Sequence, residues 1–338
     1  MTPSVDTLPR TTPTGLASSG DYVALMKPRV MSLVVFTALV GYVAAPGQGD
    51  WVLGAAAIFA LACGAGAAGA LNMWYDADID ASMRRTRGRP VPAGKIPRDE
   101  ALALGLVIGA LSVLVMTLAG GVLAAGLLAF TIFFYAVVYT MWLKRRTPQN
   151  IVIGGLAGAL PPAIAWAAKL QIGPAGFAAA ALDPLAALQG ALDPLILVGI
   201  IFLWTPPHFW ALSLYLRGDY AAAGVPMLPV THGPAHTRAA ILGYSLVLTP
   251  IALLPALTGL GGLVYAAVAG VGGLLFLGLA VRVWASRAGE AGAVGDQDLY
   301  AVKQGDRAAR DLFAFSILYL FGLFATLLGE RLVAAWQA

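Results

Sequence analysis

Long apolar segments separated by short polar stretches dominate the chain. A helix that crosses the hydrocarbon core of a bilayer needs about 20 apolar residues. Segments of that length, or close to it, are predicted to form nine membrane-spanning helices: 22–46, 51–75, 99–119, 121–143, 150–168, 193–216, 237–258, 260–283 and 312–335. The pattern therefore predicts an all-α membrane protein with one polytopic domain over residues 22–338.

The connections between the predicted spans differ in length and character. Gly120 and Gly121, and the Gly-Leu-Gly-Gly sequence at 259–262, predict tight turns in antiparallel hairpins. Longer polar loops are predicted near 76–98 and near 217–236. Residues 181–195 contain ALDPL twice and are predicted to form a short interfacial helix or loop. Residues 1–21 are polar and have no apolar core of a secretory signal, so they are predicted to form a disordered cytoplasmic tail.

Composition and charge support this membrane interpretation. Hydrophobic residues make up 59% of the 338 residues and charged residues 11%, whereas soluble domains carry roughly 25% charged residues. With the N-terminus in the cytoplasm, only Lys169 and Arg331 of the 21 Lys and Arg residues fall on the outer side. Nine spans then place the C-terminus outside. The net charge of +4 is a consequence of this topology, so nucleic-acid binding is not predicted.

The end of the second span carries the first candidate site. Asn72, Asp76 and Asp80 are spaced i, i+4, i+8, which places them on one helical stripe, whereas Asp78 points elsewhere. Two carboxylates and an amide supply the oxygen ligands that Mg²⁺ prefers, and Mg²⁺ is commonly shared with substrate phosphates. Arg84 and Arg89 follow in a loop that suits phosphate recognition. A solvated loop without function is the competing interpretation.

A second acidic position lies at the end of the sixth span. Tyr215 and Asp219 are spaced i, i+4, and Arg217 lies between them. Asp219 is predicted to hold a second Mg²⁺ on the other side of a diphosphate. Both acidic positions fall on the cytoplasmic side by the charge pattern.

Further basic residues are predicted to reach the same face. Lys27 lies within the first long apolar run, near its start. Lys144, Arg145 and Arg146 follow the fourth span, and Asn150 opens the fifth. These four cations are candidates for diphosphate binding. Ordinary positive-inside anchoring is an equally good interpretation for the three that follow the fourth span.

Four stretches of the sequence carry a family resemblance. They are KPRV at 27–30, NMWYDADIDASMRRTRGRPVPAG at 72–94, LKRRTPQNIVIGG at 143–155 and TPPHFWALSLYLRGDYAAAGVPMLPVTHG at 205–233. With these stretches the chain resembles the UbiA superfamily of intramembrane prenyltransferases, and within it the branch that farnesylates haem b. Tyr215 stands where that superfamily often has an acid, so the number of Mg²⁺ ions stays open.

The resemblance implies a fold and a reaction. Nine helices would surround a central cavity, with Asn72, Asp76 and Asp80 matching the first acidic motif and Asp219 the second. Farnesyl diphosphate and haem b would be the substrates, Mg²⁺ the cofactor, and diphosphate and a hydroxyethylfarnesyl haem the products. It also implies a bacterial inner membrane, a cytoplasmic-side active site and contact with a haem A synthase.

Histidine is a common ligand of haem iron, which makes the few histidines candidates. His208 is predicted to contact haem, as an iron ligand or at a propionate, and His232 is a second candidate. Packing beside Pro206 and Pro207 is the competing interpretation for His208.

Two other functions remain open from the sequence. A related prenyltransferase that acts on an aromatic quinone precursor would share the acidic motifs and need no haem-binding histidine. An ion-coupled secondary transporter would explain intramembrane acids, but the acids here lie at span ends and not at the bilayer midplane.

Overall fold

The computed structural model describes residues 17–290 and 306–337, and within these ranges the regular structure is helical throughout. The first half contains α1 (Ser19–Leu25), α2 (Pro28–Ala44), α3 (Trp51–Tyr75), α4 (Ala77–Ser82), α5 (Arg98–Phe133), a π-helix (Phe134–Trp142), a 3₁₀ turn (Leu143–Arg145), α6 (Asn150–Ala159) and α7 (Pro161–Leu170). The second half contains α8 (Pro174–Leu182), α9 (Pro184–Tyr215), α10 (Arg217–Ala222), α11 (Leu228–Thr231), α12 (Gly233–Ile251), α13 (Leu254–Thr258), α14 (Leu263–Ala285) and α15 (Asp306–Gln337).

Seven helical stretches among the described residues are long and apolar enough to cross a membrane. The number is eight if the bent pair α1 and α2, which meet at 55°, forms one span. One of the seven, Arg98–Arg145, extends over 48 residues. A straight helix of that length would measure about 72 Å, more than twice the roughly 30 Å hydrocarbon core of a bilayer.

This 48-residue stretch reverses direction at Gly121, whose φ of 81° and ψ of 176° are not helical. The reversal is seen at Gly64 of α3. A Cβ added to that glycine would lie 2.9 Å from both Cδ1 of Leu128 and Oγ of Ser112. Sixteen residues of continuous helix would separate them by about 24 Å. The glycine turn was expected from the sequence; nine crossings and the orientation of the termini stay predictions.

The N-terminal prediction needs one correction. Residues 1–16 lie outside the described residues, so the predicted tail is untested there. Residues 19–21, however, belong to α1, because Ser18 and Asp21 form a capping box at its start. The side chain and backbone of each residue exchange hydrogen bonds, which satisfies amides that begin a helix.

The ALDPL duplication lies in helices and not in an irregular loop. Asp183 caps α9 by accepting a hydrogen bond of 3.0 Å from the amide of Ala186. The helix then continues through Pro194 into the predicted sixth span. Leu185 and Leu188 are exposed along this first part of α9, and so is Leu182 at the end of α8.

Helix packing brings the ends of several spans together. α3 packs against α5, α2 against α7, and α9 against both α12 and α15. The largest buried cluster involves α9, α12, α14 and α15 and contains Trp210, Tyr265, Phe276 and Phe324. A separate small cluster joins α4 to the segment after α10, and this contact positions the site described next.

Candidate active site

A cavity of about 270 Å³ lies between the helices at the end where Lys and Arg residues cluster. One face of each of three helical segments forms much of its lining. α2 with its N-cap supplies Lys27, Val30, Met31 and Val34; α3 supplies Leu61, Ala65, Ala68 and Asn72; the third segment supplies Leu128, Thr131, Ile132, Tyr135 and Tyr139. Residues of the 3₁₀ turn, of α4, α6, α7, α9 and α10, and of the segments after α4 and α10, complete it. On α2 and α3 the lining changes from polar to apolar over seven to eleven residues, or about 10 to 16 Å. The cavity therefore has a charged end and an apolar end.

The first acidic motif keeps its helical register across a break in the backbone. α3 ends at Tyr75, and Asp76 adopts φ −86° and ψ 12° before α4 begins. The backbone hydrogen bonds from Asp76 to Asn72 (2.9 Å) and from Asp80 to Asp76 (2.8 Å) are nevertheless both present. All three side chains are buried. The predicted stripe is thus retained, although it extends over two helices.

Each member of the stripe has a basic partner. Lys27 Nζ donates to Oδ1 of Asn72 at 2.6 Å, and Arg89 Nη1 pairs with Oδ2 of Asp80 at 2.6 Å. Lys144 pairs with Oδ2 of Asp76. The Nδ2 of Asn72 donates in turn to Asp76 at 2.8 Å. Three of the four cations that line the cavity are therefore held by side-chain oxygens of the motif.

Asp78 lies outside this arrangement, as the spacing predicted. It is exposed and accepts two hydrogen bonds from Arg145, at 2.8 and 2.7 Å. Burial of part of its surface raises the pKa of Asp78, but the paired guanidinium more than offsets this and holds the pKa below its usual range. Arg145 also approaches the other carboxylate oxygen of Asp76 at 3.5 Å, so it supports the first motif from outside the cavity.

The second acidic motif is packed against the first. Ile79 and Met83 from the first motif form one buried cluster with Tyr220, Val225 and Met227, which follow Asp219. Four of these five, all except Ile79, also line the cavity. Asp219 itself is buried, and its Oδ1 accepts no hydrogen bond from any described residue. The two acidic motifs therefore lie at the same end of the helix bundle.

Several predicted site residues are not part of the cavity lining. Arg217 donates to the carbonyl oxygen of Gly289 at 3.1 Å. The ring of Tyr215 packs edge-on against that of Phe313, with 6.2 Å between the ring centroids. Arg146 is exposed, and so is Arg84. Across residues 17–290 and 306–337, no three His, Cys, Asp or Glu side chains converge into a ready metal site. Of the four predicted metal ligands, Asn72 and Asp80 line the cavity, whereas Asp76 and Asp219 do not. The four lie at the same end of the bundle without forming one cluster.

Other lining residues were missed from the sequence. Arg85, and not its neighbour Arg84, lines the cavity. Tyr135 and Tyr139 face it from the π-helix, with ring centroids 5.3 Å apart. Thr140 accepts from Nδ2 of Asn72 at 3.0 Å and donates to the carbonyl of Tyr135 at 2.8 Å. A π-helix frequently marks a functional site, but its presence leaves no pattern in an apolar sequence.

His208 is packed between aromatic rings and does not line the cavity. Its ring stacks on Trp204 and Phe313, with centroid distances of 4.2 and 4.5 Å. Its Nδ1 lies 2.6 Å from the hydroxyl of Ser316. This geometry favours the packing interpretation. His232 is exposed, and its ring lies 5.4 Å from that of His236.

Comparisons with known proteins identify a family. The model of the UbiA prenyltransferase family matches residues 34–295. Protoheme IX farnesyltransferase of Caulobacter vibrioides is 60% identical over 334 residues, covering 97% of this chain and 95% of that protein. Its namesake in Azorhizobium caulinodans is 58% identical over 319 residues, covering 94% of each chain.

Solved structures share the fold at low sequence identity. A digeranylgeranylglyceryl phosphate synthase has a TM-score of 0.68 at 15% identity, with 92% of this chain and 98% of that chain covered. A UbiA homolog from Archaeoglobus fulgidus bound to GPP and Mg²⁺ has a TM-score of 0.59 at 16% identity, with 91% and 99% covered. The chain belongs to the UbiA prenyltransferase family, among the members named protoheme IX farnesyltransferase.

Proposed function

We propose that the protein transfers the farnesyl group of farnesyl diphosphate to a vinyl group of haem b. Water is added in the same reaction, and the products are haem O and diphosphate. The observation that carries this proposal is the cavity with a cationic end and an apolar end. The names of relatives that are 58 and 60% identical over nearly the whole chain support the choice of haem b.

The cationic end suits the diphosphate head. Lys27, Arg85, Arg89 and Lys144 all line it, and ammonium and guanidinium groups form strong charge-assisted hydrogen bonds with phosphate oxygens. Apolar residues of α2, α3 and the segment from Leu128 to Tyr135 would hold the farnesyl chain. Arg84, Arg145, Arg146, Arg217 and Tyr215, which the sequence also suggested, are better assigned to roles outside the cavity.

The acidic residues fit Mg²⁺ as the cofactor. Oδ1 of Asp76 and Oδ1 of Asp219 are both buried and accept no hydrogen bond from the described residues, and carboxylate oxygens are the ligands Mg²⁺ prefers. Asn72, Asp76, Asp80 and Asp219 would hold the ion together with the diphosphate. Bound there, Mg²⁺ would neutralise charge on the leaving diphosphate.

The residues of the cavity would then support each step. The bond between C1 of farnesyl and the diphosphate oxygen breaks, and the basic side chains stabilise the departing anion. Tyr135 and Tyr139 present aromatic faces that stabilise the allylic cation, while the apolar lining excludes bulk water. The vinyl carbon of haem forms the new C–C bond, and one water adds to the resulting cation and releases a proton.

We also propose how the protein crosses the membrane and which side its active site faces. The eight candidate spans, with Arg98–Arg145 divided at Gly121, would give nine crossings. The Lys- and Arg-rich end, and with it the active site, would face the cytoplasm of a bacterial inner membrane. Contact with a haem A synthase on release of haem O is part of the proposal and would be tested by co-purification.

Product analysis tests the function. Membranes containing the protein are incubated with haem b, farnesyl diphosphate and Mg²⁺, and the products are separated and identified by mass spectrometry. Farnesylated, hydrated haem is the expected product. Prenylation of an added quinone precursor without any prenylated haem would reject haem b as the acceptor, and uptake of substrate without diphosphate release would indicate a transporter.

A further inference from the structure

The backbone at Lys27 is strained. Lys27 has φ 54° and ψ 55°, and it is one of two non-glycine residues with positive φ in the described part of the chain. Side chains with a Cβ disfavour this left-handed conformation, and such residues cluster at functional sites. The conformation lies at the 55° bend between α1 and α2. Something must therefore hold α1 at this angle.

Contacts on both sides of α1 hold it in place. Asp21 pairs with Lys95 at 2.9 Å, and the hydroxyl of Tyr22 donates to Glu100. Leu25 is fully buried in a cluster with residues of α3 and of the segment before α5. Met26 lies so close to α3 that a Cβ on Gly66 would be 2.5 Å from its Cε. These contacts join α1 to the loop that carries the basic residues of the first motif.

The bend directs the Lys27 side chain into the cavity. Its Cδ would be 3.5 Å from a Cβ on Gly69, so the chain lies along the glycine face of α3. Its Nζ then reaches Oδ1 of Asn72 at 2.6 Å. A helical conformation at residue 27 would continue α1 into α2 and point the amine elsewhere. The strain is thus coupled to the position of one cation of the site.

We propose that α1 is a positioning element of the active site, which acts by holding Lys27 in the left-handed conformation that places its amine beside Asn72. This inference depends on the proposed function, since it assigns the amine to the diphosphate head of the substrate. Asp21, Tyr22 and Leu25 are positioning residues, because they act on the reaction only through Lys27.

A double-mutant cycle tests the coupling. One variant releases α1 (Asp21→Asn, Tyr22→Phe and Leu25→Ala), a second removes the amine (Lys27→Met), and a third combines them. Each of the first two is expected to raise KM for farnesyl diphosphate about tenfold or more, the usual effect of losing a hydrogen bond to a charged group. Because both act through one amine, the combined variant should be no worse than Lys27→Met alone.

The control variant changes an exposed ion pair that the active site does not use. Arg282→Gln removes the exposed 2.7 Å ion pair with Asp311, and its small effect should add to that of Lys27→Met. Multiplicative losses in the combined variant would overturn the proposal, as would an unchanged KM on releasing α1. If the released variant unfolds, Lys95→Met, which removes the ion pair of Asp21 and leaves the capping box of α1 intact, should raise KM in the wild-type background and have no further effect beside Lys27→Met. An inactive wild-type protein would instead refute the proposed function.

Discussion

Arg89 and Asp80, which both line the cavity, form an ion pair of 2.6 Å, and Lys144 of the lining pairs with Asp76, which is not itself part of the lining. Both carboxylates are buried, with exposed fractions of 2% and 0%. Both carboxylates of the first acidic motif therefore already have a cation beside them, whereas no ion pair holds Asp219 among the described residues. A metal ion has to compete with these cations unless a diphosphate draws them away.

This competition predicts that metal and diphosphate bind cooperatively. Mn²⁺ alone should bind weakly to the detergent-solubilised protein. A non-hydrolysable farnesyl thiodiphosphate should raise the affinity for Mn²⁺ by about tenfold or more, within the usual range of coupling between sites. Lys144→Met should strengthen the binding of Mn²⁺ alone and reduce the coupling. Electron paramagnetic resonance of Mn²⁺ measures the affinity and its change with the thiodiphosphate. Equal Mn²⁺ affinity with and without the thiodiphosphate would show that the diphosphate does not draw Lys144 and Arg89 away from the carboxylates.

A second prediction concerns turnover. Asp76→Ala or Asp80→Ala should lower turnover by at least about 100-fold, because charge on the leaving diphosphate would be left uncompensated. Asp78→Ala is the matched control from the same short segment. Its carboxylate is exposed and paired with Arg145, so its turnover should stay near that of the wild type. Gel filtration would establish that all three variants fold. Loss of turnover in Asp78→Ala alone would contradict the assignment.

Much of the fold could be predicted from the sequence, because lipid imposes long apolar helices and glycines mark their turns. The stripe of Asn72, Asp76 and Asp80 could also be predicted, since its spacing repeats every helical turn. The structure retains that stripe through backbone hydrogen bonds even where α3 gives way to α4. Local periodicity was a sufficient guide for these features.

The remaining features depend on packing between distant segments, which local patterns do not encode. Arg84 and Arg85 are equivalent in sequence, yet only Arg85 lines the cavity. His208 is kept out of the cavity lining by contacts with Phe313 and Ser316, which lie more than a hundred residues further along the chain. Tyr139 lies in a π-helix, whose extra residue per turn changes the face that each side chain presents.

A third prediction separates the two interpretations of His208. His208→Ala should lower the free energy of unfolding by about 2 to 4 kcal/mol, because it removes a packed ring, while haem affinity in a Soret titration stays unchanged. His232→Ala, at an exposed position, should leave stability unchanged. Weaker haem binding by His208→Ala, with its thermal stability retained, would restore the haem-contact interpretation.

The final prediction concerns the hairpin at Gly121, on which the count of membrane crossings depends. Its φ of 81° with ψ of 176° belongs to a region that is essentially restricted to glycine. A Cβ there would also lie 3.0 Å from the backbone of Gln171. Gly121→Ala should therefore lower stability by about 1 to 3 kcal/mol, measured by thermal unfolding in detergent. Gly126→Ala is the matched control, since this glycine is helical and a Cβ added to it would meet nothing within 4 Å. This change should stabilise slightly or have no effect. If both substitutions behaved alike, the chain would not reverse at Gly121, and residues 98–145 could not supply two crossings.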